Sequence, residues 1–265
     1  MIELDNIYFA YPSGKVLDGI HLKVNKGEYV GLMGQNGSGK TTLARLINGL
    51  LLPTRGAVRV NGISTLDRTR LLEIRRSVGL VFQNPDAQAV GETVEEDLVF
   101  GLENLGLPIS EIDRRITEYL NLLGILELRN RNIRTLSGGQ KQLVNFAAVM
   151  VMQPDCIILD EPVSMVDARH RKIVLQHIVQ LNRNGTAVVH ITHDPEELVE
   201  CQKIIVISEG KIAVQGTPVE VFGQLLNERM LEVPTVFALS KQLGLSPNLT
   251  IPGLLEELCQ LPSGT

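Results

Sequence analysis

A glycine-rich segment between an apolar stretch and a helical stretch constrains this chain more than any other feature. Residues 34–41 read Gly-Gln-Asn-Gly-Ser-Gly-Lys-Thr, which matches the pattern G-x-x-x-x-G-K-[ST]. Glycines let backbone N–H groups turn inward around an anion, and the helix that follows presents its positive end to the same anion. The sequence therefore predicts a strand–loop–helix unit that binds the phosphates of a nucleotide.

The side chains of this loop have separate expected roles. Lys40 is expected to reach the β- and γ-phosphates of ATP, and the Thr41 hydroxyl to take a place on Mg²⁺. The alternative is a glycine-rich turn with a surface lysine, which the complete pattern in this context argues against. The nucleotide-binding residues predicted from the loop are Gly34, Asn36, Gly37, Ser38, Gly39, Lys40, Thr41 and Thr42.

A second apolar segment, CIILDEP at residues 156–162, ends in two carboxylates. Asp160 is expected at the end of a strand, where it would hold the Mg²⁺ shell. Glu161 follows directly and is expected to polarise an attacking water as a general base. Such a pair is a weak signal alone and a strong one downstream of a phosphate-binding loop, so together the two segments predict ATP hydrolysis.

The periodicity of the rest of the chain predicts an α/β fold. Alternating apolar residues near the N-terminus indicate antiparallel strands, and later apolar segments that alternate with helices are typical of a parallel sheet. Between these two regions, apolar residues recur at three- and four-residue intervals, which predicts helices. The strands are expected at residues 2–11, 27–34, 57–62, 77–83, 156–162, 186–194 and 203–210, and the main helices at 41–51, 93–107, 110–125 and 139–152.

Charge and hydropathy exclude some kinds of protein. The formal net charge of −5 gives no general field that would attract nucleic acid. No stretch approaches the roughly 20 apolar residues that cross a bilayer, and the N-terminus lacks the apolar stretch of a signal peptide. If the protein serves a membrane, another chain is expected to span it. Cys156, Cys201 and Cys259 lack metal-ligand spacing and fit a reducing cytosol, with Cys156 buried in a strand.

Residues 136–140 read LSGGQ, just before the helix predicted from residue 140. Together with the phosphate loop and LDEP, this segment resembles the ATP-binding-cassette family, whose signature motif is LSGGQ. The alternative is a serine-capped helix start with flexible glycines. The resemblance covers residues 1–225 and implies a P-loop NTPase core with a mostly parallel sheet, an antiparallel β subdomain and an α-helical signature subdomain at about 84–153. Residues 226–265 would form a C-terminal extension of short helices separated by Pro234, Pro247 and Pro252.

The resemblance also implies roles for residues outside the loop. Tyr11 resembles the aromatic residue on which adenine stacks, with Phe9 as the competing candidate. Gln83 resembles the glutamine that senses Mg²⁺ and the γ-phosphate, Asp167 the D-loop aspartate, and His193 the switch histidine that contacts the γ-phosphate and orients water. The other histidines, His21, His170, His177 and His190, are interpreted as ordinary solvated or core residues.

In this family, the signature motif of one subunit completes the ATP site of another. The residues carried over to that role are Ser137, Gly138, Gly139 and Gln140. A second ATP-binding-cassette subunit, identical or related, is therefore an expected partner. The sequence departs from the family pattern at Leu143, Val163, Val166 and Ala168, none of which is a catalytic group.

Segments 81–88, 93–108 and 210–222 resemble the ATPases of energy-coupling-factor importers, which take up vitamins or transition-metal ions. That resemblance implies a transmembrane coupling subunit, a substrate-binding membrane subunit, and a peripheral location on the cytoplasmic side of the cell membrane. The segments could also be a plain helical subdomain and a packing tail. The alternative function is a soluble ATP-binding-cassette ATPase in DNA repair or translation, and we expect no nucleic-acid partner.

Overall fold

The computed structural model describes residues 1–260. The last part of the predicted C-terminal extension, residues 261–265, lies outside the described residues. The strands are β1 (Ile2–Tyr11), β2 (Gly14–Val24), β3 (Tyr29–Met33), β4 (Arg55–Val60), β5 (Ile63–Ser64), β6 (Val78–Val81), β7 (Cys156–Asp160), β8 (Ala187–Ile191), β9 (Lys203–Ser208) and β10 (Lys211–Gly216). The helices are α1 (Lys40–Ile47), α2 (Leu71–Ser77), α3 (Val94–Glu103), α4 (Ile109–Leu122), α5 (Gly138–Met150), α6 (Ala168–Arg183), α7 (Pro218–Glu228), α8 (Thr235–Gln242) and α9 (Ile251–Gln260).

The larger sheet has the strand order β10-β9-β3-β8-β7-β6. Strands β3, β6, β7, β8 and β9 are parallel, and β10 pairs antiparallel with β9 at one edge. The parallel strands β3, β7 and β8 are buried along their whole length, which is why their sequences are continuous apolar runs rather than alternating ones. Because parallel strands end at the same edge, this sheet brings together the segments that follow β3, β6, β7 and β8.

The smaller sheet is antiparallel, with the order β2-β1-β4-β5. It confirms the antiparallel strands predicted near the N-terminus. Strand β2 was not predicted, because two residues, Asp18 and Gly19, separate its buried Leu17 and Ile20 and break the alternation. Its inward side chains, such as Leu17 and Ile20, pack with β1 and with helix α1 in a core between the two sheets.

A second hydrophobic core joins the other face of the larger sheet to helices α3, α4, α5 and α6. Helix α5 is the central element of this core, since Val144, Phe146 and Ala147 are fully buried. Leu143, one of the departures from the family pattern, is also buried there, as is Val163. Both apolar side chains therefore suit the apolar core in which they lie.

The tail differs from the prediction in one respect. Pro252 does not separate two helices: it is the second residue of α9. Proline is tolerated in the first turn because the N–H that it lacks has no partner within the helix there.

The predicted boundary between the ATP-binding domain and the tail, at residues 225/226, lies inside α7. The chain leaves this helix at Arg229, whose φ of 53° is left-handed. Among residues 1–260, no helix combines the length and the apolar character that a membrane span needs.

Candidate nucleotide site

The phosphate loop lies between β3 and α1, as the sequence predicted, and its glycines are required by geometry. Gly34 has a φ of 148°, and a Cβ at this position would collide with the carbonyl oxygen of Ile207. Gly39 has a φ of 109°, and its Cβ would lie 2.6 Å from Leu17 Cδ2. Gly39 also precedes α1 without offering a side-chain cap. The first backbone N–H groups of α1 are therefore available to an anion.

Lys40 is held inside the loop rather than on the surface. Its ammonium donates hydrogen bonds to the carbonyl oxygens of Gly34 at 2.8 Å and Gln35 at 3.1 Å. Burial lowers the pKa of Lys40, while the charges of Glu161 and Asp160 act in the opposite direction. The Ser38 hydroxyl is also buried and has no hydrogen-bond partner in the described structure. An orphaned donor beside a lysine in a glycine loop fits a phosphate ligand.

A cavity of about 380 Å³ opens at this loop. It brings together residues from the ends of β1, β3, β6 and β7 that are far apart in sequence. A neighbouring cavity of about 410 Å³ is lined by Gly34, Asn36, Gln83, Glu161 and His193. The predicted residues that line the first cavity are Tyr11, Asn36, Gly37, Gly39, Lys40, Thr41, Thr42, Gln83, Asp160 and Glu161.

Asp160 and Thr41 form the part of the first cavity with oxygen donors. Asp160 is the last residue of β7 and is only 2% exposed. Burial raises the pKa of Asp160, and the hydrogen bond from the Thr41 hydroxyl and the charge of Lys40 oppose that rise. These oxygens, with the Gln83 amide on the same cavity, are the kind of ligands that Mg²⁺ takes in proteins.

Glu161 and His193 are hydrogen-bonded to each other. The Nδ1 atom of His193 lies 2.8 Å and 2.9 Å from the two carboxylate oxygens of Glu161. This hydrogen bond raises the pKa of His193 above its ordinary value. Because Nδ1 is occupied by the carboxylate, Nε2 is the atom that remains for a ligand. His193 is 69% exposed on its side chain, whereas the side chain of Glu161 is only 10% exposed.

The backbone of Glu161 has an unusual conformation. Its φ is 54°, in the left-handed region that non-glycine residues seldom occupy. The conformation is fixed from both sides: its N–H donates to the Ile191 carbonyl at 2.9 Å, and its own carbonyl accepts from the Ser164 hydroxyl at 3.1 Å. Strain of this kind concentrates at functional sites. No sequence pattern predicted this conformation.

Tyr11 and Phe9 occupy different environments. Phe9 is 8% exposed and belongs to the core between the two sheets. Tyr11 lies at the first cavity and contacts Phe9 edge to face, with ring centroids 4.8 Å apart. Of the two candidates, only Tyr11 lines the cavity.

The signature segment forms the start of α5. This helix begins at Gly138, slightly earlier than predicted. Ser137 caps it, since its hydroxyl accepts from the Gln140 N–H at 3.3 Å while the Gln140 side chain accepts from the Ser137 N–H at 3.0 Å. A Cβ on Gly139 would lie 2.7 Å from the Met165 carbonyl oxygen, so this glycine allows close packing against the segment before α6. None of residues 137–140 lines either cavity.

The loop after β6 is attached to α5. Gln83 lines both cavities. The turn that follows is held by two side chains of α5: Asn145 Nδ2 donates to the Pro85 carbonyl at 2.9 Å, and Lys141 Nζ lies 2.6 Å from an Asp86 carboxylate oxygen. Helix α5, which begins with the signature, is therefore hydrogen-bonded to the loop that carries Gln83. These contacts were not predicted, because nothing local indicates them.

Asp167 caps helix α6. Its carboxylate accepts from the N–H groups of Arg169 at 3.0 Å and His170 at 3.2 Å, and it lies 2.6 Å from His170 Nδ1.

The tail also contributes to the site, which was not predicted. Leu231 and Glu232 line the cavity that contains His193.

Comparisons with known proteins agree with this geometry. A family model described as "ABC transporter" matches residues 17–164, more than half of the chain. This match, together with the phosphate loop and the two carboxylates at the end of β7, defines an ATPase of the ATP-binding-cassette class. The chain belongs to the ABC transporter family.

Two curated relatives are similar over nearly their whole length. The energy-coupling factor transporter ATP-binding protein EcfA of Methanosarcina acetivorans is 44% identical, with 98% of each chain covered. The cobalt import ATP-binding protein CbiO of Syntrophus aciditrophicus is 42% identical, with 98% of this chain and 95% of the relative covered.

Two solved structures share the fold. CbiO1 from Clostridium perfringens, described as part of the ABC transporter complex CbiONQ, has a TM-score of 0.73 at 33% identity and covers 86% of this chain and 92% of its own. The ATP-binding cassette MJ0796, solved as a dimer in a post-hydrolysis state bound to ADP and Pi, has a TM-score of 0.77 at 29% identity. That match covers 82% of this chain and 98% of the other.

Proposed function

We propose that this chain is the ATP-hydrolysing subunit of an energy-coupling-factor type importer that takes up a vitamin or a transition-metal ion. It would act on the cytoplasmic side of the cell membrane, bound to partners that span it. The observation that carries the enzymatic part is the convergence of Lys40, Asp160 and Glu161 on one cavity beside the phosphate loop. The relatives named for energy-coupling factor transport and cobalt import support the transport part.

The residues at the cavity suit the hydrolysis of a phosphoanhydride. Lys40 would exchange its two backbone carbonyl contacts for the β- and γ-phosphates, a gain because a buried ammonium is stabilised more by anions than by neutral carbonyls. Glu161 would accept a proton from the attacking water, and His193 would hold the γ-phosphate through Nε2. The contact with His193 Nδ1 leaves lone pairs on both oxygens of Glu161, so the carboxylate can still accept this proton.

Mg²⁺ is the metal that fits the oxygen donors at this cavity. Thr41, Asp160 and Gln83 would hold it, together with phosphate oxygens and water, because Mg²⁺ in nucleotide sites takes few ligands from the protein itself. When bound, Mg²⁺ would neutralise negative charge that develops on the β- and γ-phosphates.

The signature would act on a nucleotide held by another subunit. In a single chain, residues 137–140 do not line the cavity of the phosphate loop. A head-to-tail pair of cassettes would place Ser137, Gly138 and Gly139 of each subunit against the ATP of the other, as two helix starts that face one anion. The partner is either a second copy or a related ATPase.

The surface formed by α2, α3 and the loop after β6 is suited to a membrane subunit. A groove of about 370 Å³ there is lined by apolar side chains, among which Phe100 is 52% and Val90 66% exposed. Arg75 and Arg76 lie at its edge. An amphipathic helix from the transmembrane coupling subunit would bury these apolar groups. The loop that carries Gln83 is hydrogen-bonded to α5 next to this groove. A movement of the bound helix would therefore shift Gln83 at the nucleotide site.

The tail is proposed to contact the second ATPase. Four leucine and isoleucine side chains on α8, directly after it and on α9 are each more than 40% exposed: Leu239, Leu243, Ile251 and Leu255. A second tail of the same kind would cover them.

Co-purification tests the transport assignment. The tagged chain would be expressed with its genomic neighbours, extracted in detergent and analysed for companions. We expect a transmembrane coupling subunit, a substrate-binding membrane subunit and a second ATPase. Recovery of soluble or nucleic-acid-bound partners alone would contradict the transport assignment while leaving the ATPase assignment intact, and would favour the alternative of a soluble ATPase in DNA repair or translation.

A pair of variants tests the groove within the same experiment. Phe100→Asp should release the membrane subunit without lowering the ATPase activity of the isolated chain, since Phe100 lies outside both nucleotide cavities. Ile109→Asp is the control, because Ile109 is 86% exposed and lies outside the groove. Equal loss of the partner with both variants would show that the groove is not the docking surface.

A further inference from the structure

A chain of buried polar side chains lies behind the loop that carries His193. His190, in β8, is fully buried. Its Nδ1 lies 3.0 Å from the Tyr29 hydroxyl and its Nε2 lies 3.0 Å from Glu197 Oε2. The Glu197 carboxylate, with a side chain only 5% exposed, reaches Arg171 of α6 at 2.9 Å. Burying histidine, glutamate and tyrosine side chains together costs free energy for any member that is left without a hydrogen bond. A functional role would explain why the protein keeps them there.

The protonation of this chain can be inferred from its partners. Burial raises the pKa of Tyr29, so its hydroxyl keeps its proton and can donate to His190 Nδ1. An ionised Glu197 can only accept, so His190 donates to it from Nε2–H. The neutral tautomer of His190 with its proton on Nε2 therefore satisfies both neighbours. Glu197 is then shared between His190 and the guanidinium of Arg171.

These residues join the elements on either side of His193. Tyr29 begins β3, the strand that leads into the phosphate loop, and Arg171 lies in α6, the helix that Asp167 caps. Glu197 belongs to a short 3₁₀ turn, Pro195–Leu198, that follows His193 almost directly. Hydrogen bonds and an ion pair on its buried side thus connect the loop of His193 to β3 and to α6.

Asp194, the residue after His193, is held by the same group. It forms an ion pair with Arg171, its N–H donates to the Thr192 hydroxyl at 3.0 Å, and its carboxylate accepts from the Glu196 N–H at 2.9 Å. Since the residues before and after His193 are both fixed, the direction in which its exposed imidazole leaves the backbone is also fixed.

We propose that Tyr29, His190, Glu197 and Arg171 form a positioning network that holds His193 at the catalytic cavity. His190 touches no reacting atom and acts only through this loop. The inference rests on the proposed role of His193 in hydrolysis. Nothing in the sequence around His190 distinguishes it from a core histidine: only the contacts with residues 161 positions before it and 7 positions after it give it a role.

The test measures kcat, the Kd for ATP and the melting temperature of His190→Phe. The change keeps a buried ring and removes both nitrogens. We expect kcat to fall about 10-fold or more, because a misplacement of roughly 1 Å is enough to cost up to 10²-fold, and the Kd to stay within about twofold. His190→Gln, which can still donate to Glu197, should recover part of kcat. Tyr29→Phe, which removes a single oxygen, should give a smaller fall in the same direction.

Two controls separate positioning from stability. Val189→Ala opens a space on the opposite face of the same buried strand, in the core between the two sheets, and it should lower the melting temperature with little change in kcat. In a His193→Ala background, His190→Phe should have no further effect on kcat, since the network acts through His193.

Three results would overturn the inference. The first is a kcat for His190→Phe equal to that of Val189→Ala. The second, if His190→Phe does not fold, is an undiminished kcat for Tyr29→Phe. The third is a fall of kcat on His190→Phe that is equal with and without His193. If His193→Ala itself kept the wild-type kcat, the proposed role of His193 would fail instead, which distinguishes the two failures.

Discussion

The molecule contains two glycine-rich helix starts that differ in how their backbone N–H groups are used. At α1, the residue before the helix is Gly39, and no side chain caps the helix. At α5, Ser137 and Gln140 cap the helix reciprocally. Lys40, Asp160 and Glu161 surround the first start, whereas no residue of the second lines the nucleotide cavities.

The difference indicates two kinds of phosphate contact. The start of α1 has unoccupied donors and a buried cation, so it can take up a nucleotide without help. The start of α5 has already satisfied part of its donors, and its glycines pack against Met165 of the same chain. It is a preformed surface that would meet a phosphate brought to it by another subunit. Each of the following experiments tests one side of this comparison.

The largest effect is expected at the catalytic base. Glu161→Gln should lower kcat by about 10²- to 10⁴-fold, the usual range for loss of general base catalysis, while ATP binding persists. Phosphate release and equilibrium nucleotide binding would be measured together. Glu209→Gln is the control, because Glu209 has a similar left-handed φ of 49° and lines neither cavity. Hydrolysis by the Glu161 variant at close to the wild-type rate would remove Glu161 from the base role.

The phosphate loop should show a large difference between two of its glycines. Gly34→Ala is expected to destabilise the fold by about 3 kcal/mol, because its Cβ would strike the Ile207 carbonyl of β9. Gly37→Ala should cost only about 1 kcal/mol for its positive φ, since no atom lies within 4 Å of the added Cβ. Urea unfolding of both variants gives the comparison, and equal losses would contradict the packing described for Gly34.

The cap of the signature helix should matter less for stability. Ser137→Ala is expected to cost about 1 kcal/mol, as is Thr217→Ala, which removes the equivalent cap of α7. Only the Ser137 variant should also lower ATPase activity, because only its helix is proposed to face a nucleotide. If the two variants lost activity equally, the effect at Ser137 would be one of stability alone.

The smallest effect is a shift in titration. Glu161 raises the pKa of His193, so Glu161→Gln should bring it down toward its ordinary value of about 6.5. Because the folded-state pKa is the higher one, the contact stabilises the nucleotide-free chain at pH values below the unfolded pKa, and this contribution is lost as the pH rises through the folded pKa. NMR titration of the histidines would show it, with His177, whose pKa burial lowers, as an internal reference that should not move. An unchanged His193 pKa would mean that the contact with Glu161 is absent in solution.

The sequence predicted the parts of the site that are local. The phosphate loop, the carboxylates at the end of β7 and the signature each lie in one short segment. The parallel sheet brings the first two to one edge, whereas the signature lines neither cavity. The antiparallel strand β2 was missed because two residues between its buried Leu17 and Ile20 break its period. Pro252 was misassigned because a proline near a helix start looks like a break.

The parts that sequence reasoning missed depend on contacts between distant segments. His190 was interpreted as an ordinary core residue, and its partners Tyr29 and Glu197 had no visible link with it. The left-handed Glu161 and the tail residues beside His193 are of the same kind. Such features follow from packing, and a single sequence carries no periodic or local signal for them.

Trans-complementation between two inactive variants tests the central comparison most directly. Lys40→Ala removes the cation at the α1 start. Gly138→Asp places a negative charge at the signature, and it should preserve the fold, because an acidic residue suits the first turn of a helix and the nearest atom to the new Cβ is Met165 Sδ at 3.6 Å. Each variant alone should be inactive. Refolded or co-expressed together, they should recover roughly a quarter of wild-type ATPase activity, since half of the random two-fold dimers would hold one intact site out of two. A mixture as inactive as its components would show that the phosphate loop and the signature do not meet across two copies of this chain.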